Sequence, residues 1–234
     1  MDRIKLGILG GMGPEATEIF YKKIIAHTLV EKDQDHIDIL IYSHAGIPDR
    51  TSYLLEGRQD ELWNVLRGDV ELLKAAGIGY LVIPCNTTHY FAEGFNSLMD
   101  GKFINMIEET AAYVNERHIK RVGILATDGT MKNDMYGKAL RSLGIEAVYP
   151  SPEGQKNVMS IIYEEIKAGE KGDRHKFNGV IKELEEKKCE ACILACTELS
   201  VFSMNHMLNG AYYIDALDVA AKVSIEKCGG IYQV

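Results

Sequence analysis

The chain has 234 residues, of which 46% are hydrophobic and 26% are charged, as in folded globular proteins with a sizeable core. Its formal net charge of −8 argues against general binding to nucleic acid or to an anionic membrane. No apolar run approaches the roughly 20 residues that span a bilayer, and the first residues lack a signal-peptide pattern. Five cysteines, an odd number, fit a reducing compartment. We therefore expect a cytoplasmic protein without membrane or nucleic-acid partners.

Eight short apolar runs predict eight strands. They lie near residues 4–9, 37–43, 80–84, 103–105, 121–125, 146–149, 190–195 and 212–214. Longer amphipathic stretches separate them and predict helices. This alternation is typical of parallel sheets with crossover helices, so we expect an α/β fold.

The first predicted loop, residues 10–17 (GGMGPEAT), contains a G-x-G-x-x-A string between a strand and a helix. Such a string occurs in dinucleotide-binding proteins. However, the strand at 37–43 has no acidic residue at its end to hold a ribose, and Pro14 suits the first position of a helix. We therefore favour a glycine-rich turn whose free N–H groups bind a small anion such as a carboxylate, with a nucleotide as the weaker alternative.

The chain also contains an internal repeat. Residues 5–9 (KLGIL) resemble residues 121–125 (RVGIL), and residues 103–108 (FINMIE) resemble residues 213–218 (YIDALD). Both matches occur in the same order and at a similar spacing. The repeat predicts two similar parallel-sheet lobes whose strand ends face each other across a cleft, where ligands bind in α/β folds.

We expect the first lobe to contain residues 1–107 plus 212–234, and the second lobe to contain residues 108–211. The helix after each repeated third strand is expected to cross to the other lobe. The C-terminal helix would then return to the first lobe.

Two cysteines occupy matching places in the repeat. Cys85 follows the apolar run at 80–84, and Cys196 follows the run at 191–195. Each thiol is predicted at the end of a buried strand where a helix begins, a position that lowers the pKa of a thiol. Either cysteine alone is as well explained as an inert core residue. As a pair in one pocket, they can move a proton on and off a single carbon from opposite sides.

Cys189, Cys192 and Cys196 form a C-x2-C-x3-C pattern, which raises the alternative of a zinc or iron–sulfur site. The stretch reads as a buried strand, in which Cys192 and Cys196 lie about 13 Å apart at ~3.3 Å per residue. That separation is too large for one metal ion, so we expect no metal site here.

Three segments together resemble the cofactor-independent aspartate/glutamate racemases, particularly the aspartate racemase branch: residues 10–17, 84–89 (PCNTTH) and 195–198 (ACTE). The resemblance covers the whole chain. It implies that Cys85 and Cys196 act as base and acid on opposite faces of the substrate Cα, without pyridoxal phosphate or metal, and that the protein is a homodimer. Glutamate racemases proper carry Asp-Ser-Gly where this chain has Gly-Gly-Met at 10–12, which favours the aspartate branch.

The resemblance also implies a set of substrate contacts. These are Arg50, Asn86, Thr87, Thr88 and Lys167, with Met12, Thr127 and Thr197 as pocket walls. From the residues alone, Arg50 would be a solvated loop charge and Lys167 an exposed helical lysine. His89 and Glu198 lie close enough in sequence to tune the cysteines, although a structural or surface role is the favoured interpretation for each.

The expected reaction is therefore the interconversion of L- and D-aspartate. A glutamate or broad-specificity amino-acid racemase is the nearest alternative, followed by a hydantoin racemase or a relative resembling maleate isomerase. A decarboxylase needs only one of the two thiols, so the intact pair argues against it. A non-catalytic sensor that only binds acidic amino acids remains as an alternative from a different class.

Overall fold

The computed structural model describes residues 3–208 and 210–234, in which two four-stranded parallel sheets are present. The first sheet has the order β2-β1-β3-β4, with β1 Lys5–Gly10, β2 Asp38–Ser43, β3 Tyr80–Val82 and β4 Phe103–Ile104. The second has the order β6-β5-β7-β8, with β5 Arg121–Ala126, β6 Glu146–Val148, β7 Ala191–Ala195 and β8 Tyr213–Asp215. All eight predicted strands are present, and the predicted α/β class with two similar lobes is confirmed.

The register shows why the repeat is visible in the sequence. Gly7 of β1 pairs with Leu81 of β3, and Gly123 of β5 pairs with Cys192 of β7. A Cβ on Gly7 would lie 2.5 Å from Ile78, and a Cβ on Gly123 would lie 2.7 Å from Leu184. Both glycines therefore allow a neighbouring apolar side chain to pack directly on the central strand of its sheet.

Eleven α-helices connect the strands within the described ranges. They are α1 Pro14–His27, α2 Arg50–Leu55, α3 Gln59–Ala75, α4 Ala92–Leu98, α5 Met106–Glu116, α6 Asp128–Lys132, α7 Met135–Ser142, α8 Pro152–Ser160, α9 Arg174–Glu186, α10 Thr197–Asn205 and α11 Ala216–Lys227. Short 3-10 turns lie at Asp33–Asp35, Thr87–Phe91 and Ile166–Ala168, and a π-helical turn at Ile161–Glu165. As expected, Pro14 begins α1. None of these helices is both long and apolar enough to span a membrane.

The helices that follow β4 and β8 join the two sheets. Asn105 caps α5 by accepting from the N–H of Ile107 at 3.1 Å, and Asp215 caps α11 by accepting from the N–H of Leu217 at 2.9 Å. Helix α5 packs on α7 and α11, whereas α11 returns to pack on α1. Equivalent caps thus begin two equivalent helices, each of which packs on the other half of the molecule.

The predicted division into lobes of residues 1–107 plus 212–234 and 108–211 stays a prediction, and the sheet pairing suggests where to place its last boundary. Strand β8 pairs with β7, so residues 213–215 form the edge of the second sheet and not part of the first lobe. Only the helix after this strand packs on the other half, which favours a boundary after the strand. We propose a first lobe of residues 1–105 plus 216–234 and a second lobe of 106–215, of which residues 1, 2 and 209 lie outside the described residues.

Candidate active site

Both strand-end cysteines line one small cavity at the carboxyl ends of the sheets. Cys85 lies three residues after β3, and Cys196 directly follows β7 as the N-terminal cap residue of α10. The cavity volume is about 10 Å³, which is room for one water molecule. Its lining residues are Met12, Asp49, Arg50, Thr51, Cys85, Asn86, Thr87, Thr127, Tyr163, Lys167, Cys196, Thr197 and Glu198.

The thiol of Cys196 belongs to a short hydrogen-bonded chain. Its Sγ donates to Oε2 of Glu198 at 2.9 Å, and Oε1 of the same carboxylate pairs with Nζ of Lys167 at 3.0 Å. Glu198 is 6% exposed and Cys196 is 5% exposed. A surface role for Glu198, one of the two roles that the sequence favoured, is therefore wrong, because the side chain is buried and contacts the sulfur.

The electrostatics of Cys196 differ from the sequence-based expectation. Burial raises the pKa of Cys196 well above its ordinary value, and the negative charge and hydrogen bond of Glu198 raise this pKa further. The ammonium of Lys167 opposes these effects only in part. The predicted lowering of the pKa is thus wrong for Cys196. Its sulfur carries a proton, and Glu198 is positioned to accept that proton.

His89 supports the segment that carries Cys85, the other thiol of the cavity. Its Nε2 accepts from the N–H of Met106 at 3.1 Å, so the ring proton is on Nδ1 and is donated to the carbonyl of Cys85 at 2.9 Å. Burial lowers the pKa of His89 to about 4, which keeps the imidazole neutral. His89 contacts the backbone of Cys85 and not its thiol, so its role in this structure is structural.

Arg50 begins α2 and is 8% exposed, contrary to the solvated loop charge that the residues alone suggested. Asp49 caps the helix by accepting from the N–H of Ser52 at 2.9 Å, which fixes the start of the helix at Arg50. The Nη1 of Arg50 donates to the carbonyls of Ile47 and Pro48, at 3.1 and 3.0 Å. The guanidinium is thus held by its own loop.

Three buried polar atoms on lining residues have no hydrogen-bond partner among the described residues. They are Nε of Arg50, Oγ1 of Thr51 and Nδ2 of Asn86. The other end of the Asn86 side chain is held, since its Oδ1 accepts from the hydroxyl of Tyr136 at 2.6 Å. A buried donor without a partner is costly. These groups are therefore available to a ligand that accepts hydrogen bonds, such as a carboxylate.

Threonine side chains join the two lobes beside the cavity. Oγ1 of Thr87 lies 2.9 Å from Oγ1 of Thr127 and 3.1 Å from Oγ1 of Thr130. Thr88 is the one predicted site residue that is absent from the cavity lining. It is fully buried, and its hydroxyl donates to the sulfur of Met12 at 3.6 Å, so it supports a lining residue from behind.

Lys167 and Tyr163 reach the cavity from an irregular continuation of α8. The helix widens into the π turn at Ile161–Glu165, tightens into a 3-10 turn and ends at Gly169, whose φ is +85°. The hydroxyl of Tyr163 donates to Oδ2 of Asp49 at 3.1 Å, and Nζ of Lys167 lies 4.9 Å from the centre of the Tyr163 ring. A π turn re-aims side chains and is frequent at functional sites.

The charged side chains that line the cavity shift the pKa values of Asp49 and Lys167. Burial alone would raise the pKa of Asp49, but the N–H of Ser52 and the charges of Arg50 and Lys167 outweigh burial and lower it. Burial alone would lower the pKa of Lys167, but the charge and hydrogen bond of Glu198 together with the charge of Cys196 outweigh burial and raise this pKa. Two cations and two anions therefore face each other at the cavity.

Every predicted site residue except Thr88 lines the cavity. Four further residues line it: Glu198, for which the sequence favoured another role, and Asp49, Thr51 and Tyr163, which the sequence reasoning missed. Tyr163 lies one helical turn before Lys167, and Asp49 and Thr51 flank Arg50, so their sequence positions were the available signal. A larger groove of about 1070 Å³ shares no lining residue with the cavity. We assign the site to the smaller cavity because it contains both thiols.

The C-x2-C-x3-C pattern does not gather its sulfurs in one place. Cys192 is fully buried within β7, whereas Cys196 lies beyond the end of that strand. Across residues 3–208 and 210–234, no group of three or more His, Cys, Asp or Glu side chains is arranged to hold a metal ion.

Residues 9–223 match the model of a family described as Asp/Glu/Hydantoin racemase. Among known proteins, the broad specificity amino-acid racemase RacX of Bacillus subtilis (strain 168) is 24% identical over 224 residues, which cover 94% of this chain and 96% of RacX. The structure of Picrophilus torridus aspartate racemase is 30% identical, with a TM-score of 0.85 and coverage of 98% and 96% of the two chains. That of an aspartate racemase homologue from Pyrococcus horikoshii OT3 is 25% identical, with a TM-score of 0.76 and coverage of 96% and 98%.

Proposed function

Since this chain belongs to the Asp/Glu/Hydantoin racemase family, whose racemases are isomerases, we propose that it interconverts L- and D-aspartate. In this proposal Cys85 and Cys196 exchange the roles of base and acid, and no cofactor takes part. The similarity to Picrophilus torridus aspartate racemase supports the choice of aspartate. The observation that carries the proposal is that the two thiols, from equivalent strand ends, line one small cavity.

The environment of Cys196 supports a route to its thiolate. The proton moves from Sγ to the carboxylate of Glu198 over a contact of 2.9 Å. The thiolate then removes the proton from the substrate Cα, and the thiol of Cys85 returns a proton to the opposite face. The remaining proton on Glu198 passes through solvent to the Cys85 thiolate when the cleft opens, so no proton is gained or lost over the cycle.

The Cα proton of an amino acid is a very weak acid, so the developing negative charge must be stabilised. Arg50 has a partnerless Nε, and Asn86 has a partnerless Nδ2. Both groups are suited to hold the α-carboxylate, which carries the charge of the carbanion into its oxygens. Fixed donors in a site closed to water stabilise such charge more effectively than water does.

A broad-specificity amino-acid racemase is the second candidate. The similarity to RacX over 94% of the chain supports it. One methylene group contributes only about 1–3 kcal/mol to discrimination in a pocket, so glutamate is also a candidate substrate. Rates with aspartate, glutamate and several neutral amino acids separate these possibilities.

Incubation with L-aspartate in D2O tests the proposed reaction. Appearance of D-aspartate with deuterium at Cα is the expected result. Thermal stabilisation of the protein by aspartate without exchange at Cα would indicate an acidic amino-acid sensor. On the resemblance to the family we also propose a cytoplasmic homodimer, which light scattering and cell fractionation test.

A further inference from the structure

Glu198 lies at the boundary between the cavity and a larger outer space. A vestibule of about 400 Å³ lies against the glycine-rich loop and the start of α1. Four side chains line both the vestibule and the cavity, namely Asp49, Arg50, Lys167 and Glu198. The cavity itself is too small for an amino acid, so a substrate that arrives through the vestibule must rearrange this charged boundary.

At this boundary, an arriving anion can replace Glu198 as the ion-pair partner of Lys167. Lys167 has 27% of its side chain exposed, whereas Glu198 has 8%, so an arriving carboxylate reaches the lysine first. Both oxygens of Glu198 are engaged, one by Lys167 and one by the thiol of Cys196. Losing the lysine therefore leaves Glu198 with the thiol as its nearest partner.

We infer that Glu198 occupies the position beside Lys167 that the side-chain carboxylate of an acidic substrate takes on binding. The site then binds dicarboxylates by replacing the Glu198 carboxylate at Lys167 with the carboxylate of the substrate. The inference rests on the proposed function only in treating this cavity as the substrate site. In this inference Lys167 does more than attract anions, because Glu198 competes with the substrate carboxylate for the lysine.

The exchange has a chemical consequence for Cys196. A buried carboxylate that loses its ammonium partner holds a proton more readily. Nζ of Lys167 contacts Glu198 directly, at 3.0 Å from Oε1, so its departure acts on the carboxylate first. The S–H bond of Cys196 then breaks as an O–H bond forms on Glu198. A second carboxylate on the substrate is thereby linked to activation of the base.

Calorimetric titration of the full-length protein with two achiral acids tests the competition without any catalysis. Succinate carries both carboxylates of aspartate, and butanoate carries one. In Glu198→Gln we expect succinate to bind roughly tenfold more tightly than in the wild type, because an opposite charge beside a carboxylate is worth at least about one pKa unit. Butanoate affinity should change less than twofold. Lys167→Gln should reduce the affinity for succinate to that for butanoate.

Lys187→Gln is the matched control, since Lys187 pairs with Glu183 at 2.7 Å, and neither residue lines the cavity. It should leave both affinities unchanged. Equal tightening of both acids in Glu198→Gln would indicate a general field effect and overturn the exchange. Unchanged or weaker binding of succinate, or no binding of succinate to the wild type, would also overturn it. A protein that shows the expected shifts but does not racemise aspartate would contradict the proposed function alone.

Discussion

The Sγ of Cys196 lies 2.9 Å from Oε2 of Glu198, and this contact breaks the internal symmetry of the chain. The residue two positions after Cys85 is Thr87, whose hydroxyl contacts Thr127 and Thr130. One thiol thus has a carboxylate as its proton acceptor, whereas the equivalent position beside the other thiol belongs to a hydroxyl cluster. The two half-reactions are therefore expected to depend on different residues.

We expect Glu198→Gln to impair proton removal by Cys196 and not by Cys85. In a Cys85→Ala background, exchange of the Cα proton of aspartate with D2O should fall by roughly 10²–10⁴-fold, the usual contribution of a positioned acid–base group. In a Cys196→Ala background, the same substitution should change exchange by less than about threefold. Proton NMR measures both rates. Equal losses in the two backgrounds would show that Glu198 acts on the whole site.

The neutral state of His89 predicts a loss of stability in acid. Burial lowers its pKa from 6.5 to about 4 in the folded protein. As pH falls below about 6.5, the unfolded chain takes up a proton that the folded chain refuses, so the free energy of unfolding falls until pH 4. At 1.36 kcal/mol per pKa unit the loss is about 3 kcal/mol.

Urea unfolding at several pH values between 7 and 4 measures this loss. His89→Gln should show a shallower decrease than the wild type, because its side chain takes up no proton. His175→Gln, which changes an exposed histidine, should follow the wild-type curve. A His89→Gln curve parallel to that of the wild type would contradict the assignment.

A largely buried ion pair joins α1 to the start of α11. The Nζ of Lys23 lies 3.4 Å from Oδ2 of Asp215, whose Oδ1 accepts from the hydroxyl of Ser200 at 2.6 Å. Lys23→Met leaves the Asp215 carboxylate buried without its cation, which should lower the free energy of unfolding by about 3 kcal/mol.

The neighbouring lysine provides the control for that experiment. Lys22 pairs with Glu18 at 2.7 Å, but both side chains are more than 60% exposed. Lys22→Met should change the free energy of unfolding by less than about 0.5 kcal/mol. Similar effects of the two substitutions in urea unfolding would show that the Lys23 pair does not hold the halves together.

The strands were predictable because each is a short apolar run with its own turn signals. Where a boundary differs, a particular residue explains it. The run at 80–84 was predicted as one strand, yet the paired strand ends at Val82. Pro84 has no N–H to donate to a sheet, so the chain leaves the ladder before Cys85. The repeat likewise predicted matching sheets, because Gly7 and Gly123 each leave room for an apolar side chain to pack on the central strand of its sheet.

The chemistry of Cys196 was not predictable from its place at a helix start. That position favours a thiolate, but burial and the nearby Glu198 carboxylate act in the opposite direction and prevail. Both effects depend on which side chains the fold brings together. Lys167, which pairs with Glu198, lies on a distant π-helical and 3-10 segment whose geometry the sequence does not reveal.

Deuterium exchange at Cα by single-cysteine variants tests the two-thiol mechanism. Racemisation has an equilibrium constant of unity, so kcat/KM is the same in both directions and cannot tell the thiols apart. Deuterium exchange at Cα without inversion does distinguish the two thiols. The wild type should deuterate both enantiomers of aspartate in D2O. Cys85→Ala and Cys196→Ala should each lose inversion by at least about 10²-fold and should each deuterate one enantiomer, opposite in the two variants. Inversion at a near wild-type rate by either variant, or exchange of the same enantiomer by both, would contradict the mechanism.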